Sequence, residues 1–131
     1  MKALQIILIV IISLNLGCKK KGKAEFTLKG VITDGTFSTP FSNADVFLYE
    51  TIAGQSTSNL IGQTTTNSFG EYSFTFSRNA AESYFLTSVK QDYFPLQKTI
   101  YFSELTIEED NIRNYTTTAL SWVRLRFINQ S

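Results

Sequence analysis

From Glu25 onward, apolar and polar residues alternate with a period of two over short segments of the chain. A period of two is the spacing of side chains on one face of a β-strand, and no stripe of period 3.6 competes with it in the sequence. Clusters of Gly, Asn, Ser and Pro separate the segments, as turns do. The pattern predicts about seven strands, in EFTLKGVIT, ADVFLYE, SNLIGQTTT, EYSFTF, SYFLTSVK, QKTIYF and LSWVRLRFI.

The alternation also predicts which side chains face a core. The inward positions of the first two strands and of the fourth are Phe26, Leu28, Gly30, Ile32, Ala44, Val46, Leu48, Tyr72, Phe74 and Phe76. In the last strand, Val123, Leu125 and Phe127 lie opposite Trp122, Arg124 and Arg126. Only FSELTIEEDNIRN breaks the alternation, and it is expected to form a long loop or a single helical turn. Short strands with frequent turns are typical of an all-β sandwich or barrel.

The first residues of the chain have a different pattern. Met1 and Lys2 form a short positive head, and residues 3–16 are an apolar run that is too short to cross a membrane core of about 20 residues. The run ends in Leu16, Gly17 and Cys18, which resembles the lipobox of bacterial lipoproteins, although Asn15 stands where that signal usually has a larger apolar residue. The resemblance implies cleavage before Cys18 and acylation of its thiol, for example with palmitate.

Three segments follow from this interpretation: a lipoprotein signal peptide in residues 1–17, a lipid-anchored basic tether in 18–24, and a β-sandwich in 25–131. Two alternatives remain open, a cleaved soluble protein in which Cys18 is an incidental thiol, and an uncleaved anchor. Because a lone cysteine in an exported chain has no partner for an internal disulfide, lipidation also explains why Cys18 is the single cysteine.

Four lysines follow Cys18 directly: Lys19, Lys20, Lys21 and Lys23. Close to a membrane, each basic residue adds about 1 kcal/mol of attraction to an anionic leaflet, so lipid and lysines together form a consistent anchor. The membrane is therefore a predicted partner. No aspartate or other acidic tag follows Cys18, and by similarity to lipoprotein sorting signals we expect the outer membrane of a bacterial envelope, facing the periplasm, with the cell surface as an alternative.

Composition narrows the function. Cleavage before Cys18 leaves about 114 residues, enough for one domain. From Ala24 onward there are 7 basic and 11 acidic residues, so the body is acidic and nucleic acid is not expected as a partner. The chain has no histidine, which removes the commonest general base and most zinc chemistry. The sequence therefore predicts no enzyme, no cofactor and no metal.

Four stretches, GVITD, PFSNADVFL, TNSFGEYSF and YFLTSVKQDYF, resemble in order and spacing the carboxypeptidase regulatory-like domain, a transthyretin-like (prealbumin-like) β-sandwich. The matched residues are Gly30, Ile32, Asp34, Pro40, Phe41, Ala44, Val46, Leu48, Thr66, Gly70, Tyr72, Phe74 and Tyr93. The resemblance implies a Greek-key sandwich of about seven strands. Every matched residue is structural in that family, so the resemblance implies a fold and no ligand.

Three positions depart from the family pattern. Asn43 and Asp92 stand where glycine is usual, and Asn67 replaces an aspartate. These residue types tolerate the left-handed conformation or close a turn by local hydrogen bonds. Gly70 is expected to have a positive φ where two strands reverse.

Three groups of residues carry candidate chemistry. The acidic residues Glu104, Glu108, Glu109 and Asp110 supply oxygen ligands for a cation, but they lack the spacing of a calcium loop, so a solvated loop is expected. Trp122, Arg124 and Arg126, together with Phe47 and Tyr49, are a predicted ligand or partner face, able to stack on a sugar or grip an anion. A loop, the other sheet or a neighbouring subunit covering these strands is the alternative. Lys29 and Asn129 resemble the isopeptide pair of collagen adhesins, but Lys29 points away from the core, where that bond is not promoted.

Two functional classes remain. The sequence favours a non-catalytic, membrane-anchored lipoprotein whose sandwich is a binding, adhesion or assembly module with a protein or glycan partner. The alternative is an accessory subunit of an envelope hydrolase or of a glycan or peptide uptake system. The segment SNLIGQTTT has no charge, so it is also a candidate for edge-to-edge pairing with another protein.

Overall fold

The computed structural model describes residues 24–121, 125 and 126. Within these residues the chain forms nine strands: β1 Glu25–Asp34, β2 Thr39–Pro40, β3 Asp45–Ile52, β4 Ser58–Thr65, β5 Glu71–Ser77, β6 Ala81–Val89, β7 Leu96–Tyr101, β8 Asn111–Ile112 and β9 Tyr115–Thr117. One turn of 3-10 helix, Phe102–Glu104, follows β7. No helix in this part of the chain has the length and apolar character needed to span a membrane. Residues 1–23, with Cys18 and the four lysines of the tether, lie outside the described residues.

The strands form two sheets. In the first, β1 pairs with β5 along Glu25–Val31 and with β2 at Thr33 and Asp34, both antiparallel, while β8 and β9 pair with β1 in parallel. The second sheet has the order β4-β3-β6-β7, and all its pairs are antiparallel. Since the chain passes from β4 to β5 and back to β6, consecutive strands tie the two sheets together. The predicted fold class, an all-β sandwich, is confirmed.

The core lies between the inward faces of the two sheets, as the alternation predicts. The predicted inward residues that are buried are Phe26, Leu28, Ile32, Ala44, Val46, Leu48, Tyr72, Phe74 and Phe76. Aromatic rings fill one end of this core, where the Tyr84 ring lies 4.9 Å from that of Phe76 and 6.3 Å from that of Phe26, centroid to centroid. Gly30 is the exception, because backbone from another segment occupies the space where its side chain would lie.

The turn residues behave largely as predicted. Asn43, Asp92 and Gly70 have φ values of 53°, 65° and 74°, in the left-handed region. Asn67 instead closes its turn with its side chain, whose amide oxygen accepts hydrogen bonds from the backbone N–H groups of Phe69 and Glu71, each at 2.9 Å. The exchange of aspartate for asparagine is tolerated because the accepting oxygen is kept.

The observed strands differ from the predicted ones in two places. Six of the predicted strands are present, and the strands β2, β8 and β9 were not predicted because two or three residues leave no alternation to detect. The predicted strand LSWVRLRFI falls largely outside the described residues, and the prediction is wrong for Leu125 and Arg126, which are exposed and lie outside any strand. FSELTIEEDNIRN contains the 3-10 turn and β8.

The two lateral sides of the sandwich differ. On the side of β7, residues 102–117 close the gap between the sheets: Leu105 and Tyr115 pack against the core, and the ammonium group of Lys98 lies 5.8 Å from the centre of the Tyr115 ring. On the other side the sheets end in β4 and β5. These two strands approach closely at Gly62, where a Cβ atom would lie 2.8 Å from Cδ1 of Phe74.

Candidate functional site

The outer face of the second sheet carries side chains in three rows of four, each row running across β4, β3, β6 and β7. The pairing register gives these rows as Gln63, Phe47, Thr87 and Gln97, then Leu60, Tyr49, Phe85 and Thr99, then Ser58, Thr51, Ser83 and Tyr101. None of these twelve positions carries a charged side chain. We call this surface the aromatic face.

The rings of the aromatic face are accessible. Phe47, Tyr49 and Phe85 are half-buried, and their neighbours Leu60 and Tyr101 are 52% and 59% exposed. The Tyr49 and Phe85 rings lie 6.4 Å apart, centroid to centroid, at an interplanar angle of 49°. Rings at this distance interact with each other and still present their outer surfaces to a ligand.

Uncharged polar groups surround the rings. The hydroxyl groups of Thr51 and Ser58 lie 2.8 Å apart and hydrogen-bond to each other, and Thr87 and Thr99 flank the central rings on β6 and β7. The acidic residue Asp45 lies on β3 just beyond the first row of the face. Its carboxylate accepts a hydrogen bond from the Thr65 hydroxyl. Stacking and neutral hydrogen bonding are therefore the chemistry that the aromatic face offers.

The structure brings together two of the residues predicted to form a ligand face. Phe47 and Tyr49 lie on β3 with their side chains away from the core, as the alternation predicts. Trp122 and Arg124 lie outside the described residues, and Arg126 is exposed, so their part in the face stays a prediction. Sequence reasoning missed Phe85, although its alternation with the buried Tyr84 and Leu86 indicates an outward position.

A concave surface, a cleft of about 590 Å³, lies against β1 and β5 beside residues 112–114. Several of its polar side chains already have partners within the chain. Lys29 forms an ion pair with Asp110, and the amide nitrogen of Asn67 donates to the Glu71 carboxylate at 2.7 Å. The side-chain oxygen of Asn114 accepts a hydrogen bond from the backbone N–H of Val31 at 2.9 Å. Because these side chains are engaged within the chain, the cleft offers fewer free polar groups to a ligand than the aromatic face does.

The predicted acidic loop has structural contacts of its own. The carboxylate of Glu104 accepts a hydrogen bond from the backbone N–H of Tyr101 at 2.7 Å, and Asp110 pairs with Lys29. In residues 24–121, 125 and 126, no three acidic or cysteine side chains are grouped so that they could hold a metal ion. Lys29 is exposed in this ion pair, and Asn129 lies outside the described residues.

Asp34 is a buried carboxylate at the end of β1. One of its oxygens accepts a hydrogen bond from the Tyr93 hydroxyl at 2.6 Å, and the other accepts from the backbone N–H groups of Thr36 and Phe37. The Tyr93 hydroxyl is the main cause that lowers the pKa of Asp34 below its ordinary value. The carboxylate is thus a structural acceptor that ties the loop after β1 to Tyr93.

No family model and no curated protein sequence matches the chain. Among solved structures, 3-chlorocatechol 1,2-dioxygenase from Rhodococcus opacus 1CP is similar, with 8% identity, a TM-score of 0.55 and coverage of 79% of this chain and 63% of that protein. A group B streptococcus pilus 2b backbone protein has 13% identity, a TM-score of 0.51 and coverage of 73% and 42%. Klebsiella pneumoniae 5-hydroxyisourate hydrolase has 18% identity, a TM-score of 0.47 and coverage of 74% and 94%.

At these identities the likenesses concern the fold alone, and the chain spans less than two thirds of the length of the dioxygenase. They nevertheless correct one prediction. The sequence predicted that the chain is not an enzyme, and that prediction is wrong, because an enzyme is built on a similar sandwich and the fold does not exclude catalysis. The resemblance to the carboxypeptidase regulatory-like family stays a prediction.

Proposed function

We propose that this chain is a lipid-anchored module of the bacterial envelope that binds an uncharged glycan chain on its aromatic face. One observation carries the proposal: twelve adjacent outward positions of one sheet hold four aromatic side chains, seven neutral polar side chains and Leu60, without a charge. A sugar ring offers C–H groups that pack on aromatic rings and hydroxyls that bond to threonine, serine and glutamine side chains.

The anchor rests on the sequence alone. Cys18 would carry the lipid, and the lysines Lys19, Lys20, Lys21 and Lys23 would lie at the headgroups. The first strand begins at Glu25, directly after the tether, and the backbone N–H of Arg78 donates to the carbonyl of Ala24 at 2.9 Å. The described part of the chain therefore starts at the end of the sandwich where β1 begins and β5 ends.

A role in binding or assembly also has support from the fold. The streptococcal protein of similar fold is a pilus backbone protein, so sandwiches of this kind serve as modules in surface assemblies. The likeness covers 42% of that protein and concerns the fold alone.

The anchor is tested by the intact mass of the protein from its native membrane fraction, beside the variant Cys18→Ala. We expect a mature chain that begins at Cys18 and carries acyl mass, and we expect the variant to lose both the lipid and its place in the membrane fraction. A mature chain without acyl mass would contradict the anchor and leave the binding proposal intact.

The binding face is tested by co-sedimentation of the protein with chitin and cellulose, which are uncharged glycan chains, and with peptidoglycan sacculi, whose stem peptides carry charge. Tyr49→Ala and Phe85→Ala should weaken binding about tenfold, the loss typical of a central contact residue. The matched control is Phe69→Ala, since Phe69 is 68% exposed in the turn before β5 and lies off the face. Equal loss in all three variants, or binding to none of the glycans, would contradict the proposal and favour a protein partner.

A further inference from the structure

The edge of β4 is open within the described part of the chain. β4 pairs with β3 along one side, and none of the described residues pairs with its other side. A strand presents unpaired N–H and C=O groups at such an edge. Water can hydrogen-bond to these groups, but their regular spacing also makes the edge a template for pairing with another extended chain. On the opposite lateral side of the sandwich, residues 102–117 fill the space between the sheets.

The composition of β4 favours pairing. Its sequence, SNLIGQTT, contains no charged residue and no proline, whereas the other lateral strands carry charge, with Glu71 on β5 and Lys98 on β7. Lysine and proline at an edge are the usual means of preventing pairing between molecules. The one interruption in β4 is a bulge opposite Leu48 and Tyr49, which leaves Gly62–Thr65 as the regular part of the edge.

From these observations we propose that a second copy of this chain pairs with β4 in antiparallel fashion, so that the two four-stranded sheets join into one sheet of eight strands. Antiparallel self-pairing is two-fold symmetric and uses the same surface on both copies, so the assembly closes at a dimer. Because β4 has no charge, the pairing places no like charges opposite each other.

Symmetry restricts the register. A two-fold axis perpendicular to the sheet keeps the outer face of each copy on the same side, and directly opposed residues of antiparallel strands share a face. The two symmetric registers that pair the most of Gly62–Thr65 place at the axis either the two Gln63 residues, which point outward, or the two Thr64 residues, which point inward. In both registers the Gln63 side chains of the two copies are direct or diagonal neighbours.

The dimer has a consequence for the aromatic face. The same axis places the aromatic faces of both copies side by side on one side of the joined sheet. It also places the first residue of β1 at opposite ends of the assembly in the two copies. A repeating ligand such as a polysaccharide would then meet two faces at once, and avidity would raise its affinity. The dimer itself does not depend on the glycan proposal, since it rests on β4 alone.

The test is a charge exchange at Gln63 in the full-length chain, measured by sedimentation velocity in detergent over a range of protein concentrations. Gln63→Lys and Gln63→Glu should each raise the dissociation constant of the dimer by up to about fivefold, because each puts two like charges close together across the axis. An equal mixture of the two variants should form heterodimers at least as tight as the wild type. The matched control is Gln97→Lys, in the same row of the sheet but on β7, and it should leave the dimer unchanged.

The mixture separates pairing from damage to the fold, since two misfolded variants do not rescue each other. A wild-type chain that stays monomeric at all concentrations would overturn the proposal. So would a dimer that Gln97→Lys weakens and the variants at Gln63 do not. None of these results depends on glycan binding, so failure of the dimer and failure of the binding face are distinguishable.

Discussion

The side-chain hydroxyl of Tyr72 donates a hydrogen bond to the backbone carbonyl of Arg113, with 2.7 Å between the two oxygens. The bond joins β5 to the link between β8 and β9, which lies 41 residues further along the chain. Burial raises the pKa of Tyr72, so its hydroxyl stays protonated and remains a donor at any ordinary pH. A side chain that the family resemblance marks as structural thus fixes the segment that closes one side of the sandwich.

Tyr72→Phe should lower the free energy of unfolding by about 1–2 kcal/mol, because the Arg113 carbonyl loses its donor in a site with little access to water. Urea denaturation measures the change. Tyr101→Phe is the control, since Tyr101 is 59% exposed and its change should be close to zero. Equal stability of Tyr72→Phe and the wild type would contradict the structural role of this bond.

Gly30→Ala should destabilise the protein by about 3 kcal/mol or prevent folding. A Cβ atom at this position would lie 1.8 Å from the Arg113 carbonyl oxygen, which is backbone and held by Tyr72. Gly54→Ala serves as the comparison, because Gly54 has φ +79° and a Cβ atom added there would meet no other atom within 4 Å. This variant therefore tests conformational strain alone and should cost about 1 kcal/mol. Thermal unfolding of both variants checks the order, and a milder effect at Gly30 than at Gly54 would be inconsistent with the close approach.

The Asp34 carboxylate should make stability depend on pH in the acid range. Its pKa is lower in the folded chain than its ordinary value of 3.8, mainly through the Tyr93 hydroxyl. The ionised form therefore stabilises the fold above the ordinary value, and this contribution is lost as pH falls through the lowered pKa. Tyr93→Phe should be less stable than the wild type near neutral pH, and the difference should shrink on acidification.

Chemical denaturation of wild type and Tyr93→Phe at a series of pH values measures this convergence. An NMR titration of Asp34 supplies an independent readout, in which the variant should titrate at a higher pH than the wild type. A stability difference that stays constant through the acid range would show that Tyr93 acts through packing and not through the carboxylate.

Tyr84→Phe should leave stability unchanged or raise it by up to about 1 kcal/mol. Tyr84 is fully buried, and its hydroxyl has no hydrogen-bond partner among the described residues. Without the oxygen, folding no longer buries a polar group that lacks a hydrogen bond, which is unfavourable. The ring keeps its contacts with Phe26 and Phe76. The same substitution at Tyr72 is the matched comparison, because that hydroxyl has a partner. A loss at Tyr84 as large as that at Tyr72 would indicate a hydrogen-bond partner for the Tyr84 hydroxyl.

Much of the sandwich could be predicted from the sequence because the side-chain alternation of a strand is a local property. The inward side chains of β1, β3 and β5 are buried as the period of two predicts, with Gly30 as the exception. Left-handed residues at Asn43, Gly70 and Asp92 were equally predictable, since glycine, asparagine and aspartate tolerate that conformation with little local cost. The same local pattern predicted that Phe47 and Tyr49 point away from the core.

The candidate site was predictable only in part, because a surface across four strands depends on which strands are neighbours. Phe85 lies 36 positions after Tyr49 in the chain and faces it only because β3 pairs with β6. The last predicted strand shows the opposite error: alternation in LSWVRLRFI predicted a strand, yet Leu125 and Arg126 lie outside any strand.

The sequence by itself determined that the chain forms strands, which side of β1, β3 and β5 faces the core, and where the backbone turns, because these properties depend on residues close together in the chain. Only the tertiary structure decided that the Arg113 carbonyl occupies the space beside Gly30, that the Tyr49 and Phe85 rings meet on one outer face, and that β4 lies at an edge of its sheet. Each of these depends on pairing between segments far apart in sequence, and the order of strands in a sheet is set by the packing of the whole core.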